Sequence, residues 1–242
     1  MVLPAHGTLH EQFLPVTRTP ETVVDPLEKE WTDALLGLGG NEIKKLLNDR
    51  WRCVQDQGFA RLARMLEEGM PYSVVETNGI VWLKVHVSKY IAMDTAIQTL
   101  ALYVRRPFQK DESSQCLERF DLTTNTRHEL TTFVMNFGGL RDMEPRHAGS
   151  FLEPPHVDTI GTWCEDVDLK EATDFPVFYC AANGDLLGVF PDGRTGWYCT
   201  EDLPLGCPVR PFGRNISDTV FKWANCNDYI DGCIYFDDDW SS

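Results

Sequence analysis

FPVFYCAANGDLLGVFPDGRTGWYCTEDLPLG, residues 175–206, decides the fold class of this chain. Three apolar runs, residues 176–180, 186–190 and 195–199, are separated by Asn183-Gly184-Asp185 and Pro191-Asp192-Gly193. Asn, Asp, Pro and Gly each favour tight turns, and connections this short join only antiparallel neighbours. Beyond them Ser217 or Asp218 is positioned to cap a helix, with Val220, Phe221 and Ala224, together with Tyr229 and Ile230, facing the strands. Strands followed by a covering helix define an α+β module, an antiparallel twisted sheet with flanking helices. No motif in this stretch supplies catalytic chemistry.

Upstream, Thr126-Arg127-His128-Glu129 reads as a capping box, in which a Thr hydroxyl and a Glu carboxylate satisfy each other's backbone amides at a helix start. Leu130, Phe133, Val134 and Phe137 follow as one apolar stripe, closed by Gly138-Gly139. A further strand is expected over residues 159–163. The charged, Ser-containing stretch 109–115 marks a boundary between regions, with the second unit taken as residues 119–242.

The first unit, residues 25–118, reads as a smaller ααββα region. Asp25-Pro26 starts a helix that presents Leu27, Trp31, Ala34, Leu35 and Leu38 and stops at Gly39-Gly40. Asn41 is read as the cap of one longer helix through Ile43, Leu46, Leu47, Trp51, Val54, Leu62 and Leu66 to Gly69. Asn78-Gly79 then joins residues 72–77 to residues 80–87, where Val81, Leu83, Val85 and Val87 alternate with Trp82, Lys84 and His86. An Asn-Gly pair between alternating runs is a strong hairpin signal, because the turn needs φ > 0 at both positions. Ile97, Leu100, Ala101 and Val104 predict a closing helix over residues 94–105. Residues 1–24, rich in Pro and Thr, are expected to be a loose arm.

Charge separates the halves further. The chain carries −15 overall. Residues 1–120 hold 14 Lys and Arg against 16 Asp and Glu, whereas residues 121–242 hold 8 against 21. Nucleic-acid readers concentrate Lys and Arg to meet phosphate, so this balance argues against nucleic acid and for a basic partner. The candidate contact residues are Asp142, Glu144, Glu153, Asp158, Glu165, Asp166, Asp168, Glu201, Asp202 and the run Asp237, Asp238, Asp239 beside Trp240. A solvated acidic face is the simpler reading of such a set; a docking surface for a cationic partner is the sharper one. Trp163, Trp197 and Tyr198 serve equally as interface anchors or as core.

Eight cysteines occur without any C-x-x-C pair. The opening MVLPAHGTLHEQFLP lacks the basic and apolar regions of a secretory signal, and no apolar run is long enough for a membrane span. The expectation is a cytoplasmic protein with reduced, buried thiols and neither metal nor cofactor. His147, His156 and Asp158 suggest a metal triad, but no second histidine follows His156, and a surface loop is the plainer reading. Gly37-Leu38-Gly39-Gly40 follows a helix and so reads as its end, not as a phosphate loop.

Residues 125–235 resemble the SUKH superfamily, known for bacterial immunity proteins that neutralise polymorphic toxins, with some eukaryotic and viral relatives. The likeness lies in four elements in family order: ELTTFVMNFGGLRD (129–142), DFPVFYC (174–180), GDLLGVFPDGRTGWYC (184–199) and NISDTVFKWANCNDYIDG (215–232). It implies a SUKH-like twisted sheet that binds a toxin domain, often a nuclease or deaminase. The expected function is therefore non-enzymatic: an immunity protein that blocks a cognate basic toxin. A eukaryotic-type regulatory scaffold is the alternative.

Overall fold

The computed structural model describes residues 14–15, 26–51, 54, 57–70, 72–77, 80–91, 96–142, 150–151, 157–163, 174–180, 185–198 and 210–225. Helix α1 (Pro26–Leu35) starts on Pro26, whose fixed φ suits a first helical position. It turns out at Gly37, with φ +85°. Helix α2 (Gly40–Trp51) begins one residue before the expected cap: Glu42 Oε2 accepts the Gly39 amide at 2.8 Å. Ile43, Leu47 and Trp51 form its buried stripe.

The long second helix expected to reach Gly69 is in fact two, α2 and α3 (Gln57–Glu68). The stripe through Trp51 would next need apolar residues at 55 and 58, where the chain has Gln55 and Gly58. Gly58 has its own use. It lies so close to the last helix that a Cβ would sit 1.9 Å from the Ser217 carbonyl oxygen, and its amide donates to Ser217 Oγ at 3.2 Å.

Strands β2 (Tyr72–Thr77) and β3 (Ile80–Ile91) pair from Tyr72↔Val85 to Thr77↔Ile80, leaving the expected two residues for the turn. Residues 14–15, within the expected loose arm, are bridged to β2 as β1 (Leu14–Pro15). The closing helix over residues 94–105 is overturned: strand β4 (Ala96–Val104) pairs antiparallel with β3 over nine positions, Ile91↔Ala96 to Leu83↔Val104. The run AIQTLALYV satisfies both periods, and its β-branched and aromatic residues suit a sheet buried on both faces. Leu102 and Val104 enter the main core, while Ala101 and Tyr103 join Val75 and Trp82 on the opposite face.

The ladder continues through β5 (Leu140–Asp142), β6 (Ser150–Phe151), β8 (Pro176–Cys180), β9 (Leu186–Val189), β10 (Thr195–Tyr198) and β11 (Arg210–Gly213). Every pairing is antiparallel. The three strands read from residues 176–199 thus stand nearly as expected. The strand over 159–163 does not: only β7 (Asp158–Thr159) pairs with β8, and Ile160–Trp163 is a helical turn, α6. Asp158 Oδ1 accepts from the Thr159 amide at 2.8 Å and from Thr162 Oγ1 at 3.2 Å, which starts the turn.

The charged stretch 109–115 is helical, within α4 (Lys110–Leu117). Helix α5 (Thr124–Phe137) buries Leu130, Phe133, Val134 and Phe137 as read, and ends at Gly138 with φ +67°. Its cap is Thr123, which accepts the Thr126 amide at 3.1 Å, so Thr126 lies inside the helix, the cap falls three residues earlier than expected, and the expected Thr126–Glu129 capping box is overturned. Helix α7 (Ile216–Asn225) is likewise capped early, two residues before Ser217, by Asn215 Oδ1 on the Asp218 amide at 2.8 Å. Val220 and Ala224 are buried as expected, Phe221 is half-buried, and Trp223 completes the packed face. Tyr229 and Ile230 lie outside the described residues.

One core cluster runs from Leu35 to Ala224, across the expected boundary at 118/119. Aromatic rings carry it from α2 to α7: Trp51–Phe137 at 6.0 Å, Phe137–Phe133 at 5.4 Å, Phe133–Phe151 at 5.2 Å and Phe151–Trp223 at 5.0 Å. Such offset and edge contacts each add about 0.5–1.5 kcal/mol beyond area burial. No helix among the described residues is long and apolar enough to cross a membrane.

Candidate functional site

Of the acidic residues singled out, Asp158 has a described side chain, half-buried and engaged by Thr159 and Thr162. Asp142 ends β5 opposite Leu102. Glu144, Glu153, Glu165, Asp166, Asp168, Glu201, Asp202, Asp237, Asp238, Asp239 and Trp240 lie outside the described residues, as do His147 and His156. Among the described residues no group of three or more His, Cys, Asp and Glu could hold a metal ion.

The antiparallel registers still order the strand ends from which the acidic segments depart. Strands β5, β8 and β10 run in one direction and β6, β7 and β9 in the other. Asp142 and Tyr198, after which come Glu144 and Glu201-Asp202, therefore stand at the Cys180 end of the sheet. Thr159 and Pro176 pair at the opposite end, whereas Phe151 is paired with Tyr179, beside Cys180.

Glu129 does something the sequence pattern concealed. Displaced from the capping box, its buried carboxylate reaches the start of α7, where Oε2 accepts the Ile216 amide at 2.9 Å and the Ser217 amide at 3.4 Å. A carboxylate at a helix N-terminus meets unpaired amides and the positive end of the dipole. Nearby, Thr195 Oγ1 accepts the Gly213 amide at 2.8 Å and shares a hydrogen bond with Thr219 Oγ1 at 2.6 Å, tying β10 and β11 to α7. At the 191–193 turn, Gly193 takes φ +91° and Asp192 accepts from the Arg194 amide at 3.0 Å and from Arg194 Nε at 2.6 Å. Burial pushes the Asp192 carboxyl up, but the Arg194 amide and guanidinium outweigh it and hold the group below the usual range.

Of the described cysteines, Cys180 is buried, as expected, and Cys116 is half-buried. Burial, with the Glu112 charge adding to it, pushes the Cys116 thiol up, away from a reactive thiolate. His86 is half-buried on the Trp82 face of β3, where the guanidinium carbons of Arg105 and Arg141 lie 5.5 and 4.7 Å from the Trp82 ring.

A separate groove of about 330 Å³ opens between α1, α2 and residues 106–109. Its apolar wall includes Leu27, Trp31, Ala34, Leu46 and Pro107, and Leu46 is 44% exposed. Arg50, Arg106, Glu30 and Gln109 supply the polar lining. The buried Arg106 guanidinium is held by both Glu112 oxygens, at 2.5 and 3.1 Å. Arg50 donates to the Met135 carbonyl, and among the described residues no carboxylate pairs with it. Its Nε is buried without an acceptor, and burial lowers its pKa to about 10. Sequence reasoning missed this groove, because Arg50 beside Asp49 looks like any charged pair on a helix surface.

Comparison with protein-family models, curated proteins and solved structures finds no match for the chain.

Proposed function

We propose that the chain is a non-enzymatic, cytoplasmic immunity-type protein that binds and blocks a basic toxin domain, such as a nuclease or deaminase, through acidic segments of its C-terminal half. The observation that carries this reading is the charge asymmetry: 21 Asp and Glu against 8 Lys and Arg after residue 120. The SUKH resemblance of residues 125–235 supplies the class of partner. A nuclease cleft built for phosphate is basic, so an acidic inhibitor both steers towards it and occupies it.

The acidic residues need not all act together. For testing, Glu144, Glu201 and Asp202 are substituted together as one acidic patch, and Glu153, Glu165, Asp166 and Asp168 as the other. Co-expression with basic nuclease and deaminase toxin domains tests the reading. Growth should be rescued by the native chain and lost when one patch is reversed to Lys. No rescue by the native chain, or rescue untouched by reversal of both patches and of Asp237, Asp238 and Asp239, contradicts it.

A further inference from the structure

The groove between α1 and α2 is built around the Arg50 charge, which lacks a counter-ion among the described residues. Leaving a guanidinium partly desolvated and unpaired is costly, and the strongest relief is a carboxylate meeting its planar fork. Around Arg50 the walls are apolar, with Trp31 and Pro107 offering flat faces and Leu46 held partly in solvent. A pocket of this size, apolar with a few fixed polar groups, suits a compact ligand that has one apolar end and one polar end.

The sign and number of charges follow from the lining. Arg106 is already neutralised by Glu112, so Arg50 is the cation that a ligand would satisfy. Glu30 on the lining and the net charge of −15 both disfavour a second negative charge. We infer that this groove binds a monocarboxylate bearing a compact apolar or aromatic group, its carboxylate on Arg50 and its apolar end between Trp31, Leu46 and Pro107. The ligand is either a free acid or the C-terminal carboxylate of a peptide ending in such a side chain. This site is independent of the acidic segments proposed for toxin binding.

Calorimetric titration of the full chain with 3-phenylpropionate, 3-phenylpropionamide, 2-phenylethylphosphonate and a short peptide ending in Phe tests it. The acid should saturate the protein at millimolar concentration or below, with the neutral amide weaker by about tenfold or more, the difference expected from one charge-assisted contact. Binding of the acid but not of the peptide identifies a small-molecule site, and binding of both identifies recognition of a peptide C-terminus. Arg50→Gln should erase the preference for acid over amide. Because Arg50 also holds the Met135 carbonyl, a second variant, Ala34→Trp, fills the groove from an exposed helix position. It should abolish binding while the unfolding midpoint stays put. Equal affinity for acid and amide, tighter binding of the dianionic phosphonate, no saturation by the acid, or full binding by Ala34→Trp each overturns the inference.

Discussion

Glu129 shows how one residue can serve an element other than its own. Its carboxylate lies on α5 yet satisfies amides at the start of α7. Glu129→Ala leaves those buried donors without an acceptor and should destabilise the protein by about 1–3 kcal/mol. Glu129→Gln keeps an acceptor oxygen but loses the charge at the helix terminus, and should cost about 1 kcal/mol or less. Denaturant unfolding separates the two, and equal losses would contradict the capping role. At the 191–193 turn the contribution is pH-dependent. Asp192 is held below its usual range by Arg194, so its stabilisation is complete above the unfolded value, about 4, and is lost as pH falls through the lower folded one. The stability gap between native protein and Asp192→Asn should therefore narrow as the solution is acidified from about pH 6 to about pH 3. With the side chain 52% exposed, the effect is small. A gap that does not change with pH would show that the pair contributes nothing.

Among the elements, those fixed by local chemistry were legible in the sequence. Asn78-Gly79 placed the turn of the first hairpin to the residue, though β3 runs four residues past the expected Val87, and the Asn, Asp, Pro and Gly spacers placed β8, β9 and β10 within one residue. Elements fixed by distant partners were not. The sequence of β4 fits a helical and an extended period equally, and nine cross-strand positions on β3 decide it. Thr123 and Thr126 are both able to cap α5, and only the packing of Glu129 onto α7 separates them. The break between α2 and α3 is written in Gln55 and Gly58 as a gap in an apolar stripe, but its purpose needs the neighbouring helix. At Gly58 a methyl group would collide with Ser217 backbone rather than with a movable side chain. Gly58→Ala should then cost about 1–3 kcal/mol or more, as overpacking does. A midpoint shift indistinguishable from zero would mean that α3 and α7 are not in close contact.

For the whole molecule, the core joins what the charge count divides. Helix α3, from the first half, packs on α7, from the second, and β4 pairs with β5 across residue 118. A chain cut between residues 118 and 119 would leave Phe59, Phe133 and Phe137 without part of their packing. Each fragment alone should show no cooperative unfolding transition, and mixing the two should restore one; a cooperative transition in either alone would contradict a shared core. Charge divides differently: 8 Lys and Arg against 21 Asp and Glu leave −13 of the net −15 after residue 120. Composition alone shows that excess. The groove around Arg50 was not legible, because its walls come from residues 27–50 and 106–109, brought together only by the fold. The most direct test of an acidic toxin-binding surface is the association rate with a basic toxin domain that the chain neutralises, measured as salt rises from about 50 mM to about 500 mM. Electrostatic capture predicts a rate that falls by about tenfold or more and a Lys-reversed acidic patch that removes the dependence. A rate indifferent both to salt and to the reversal would contradict it.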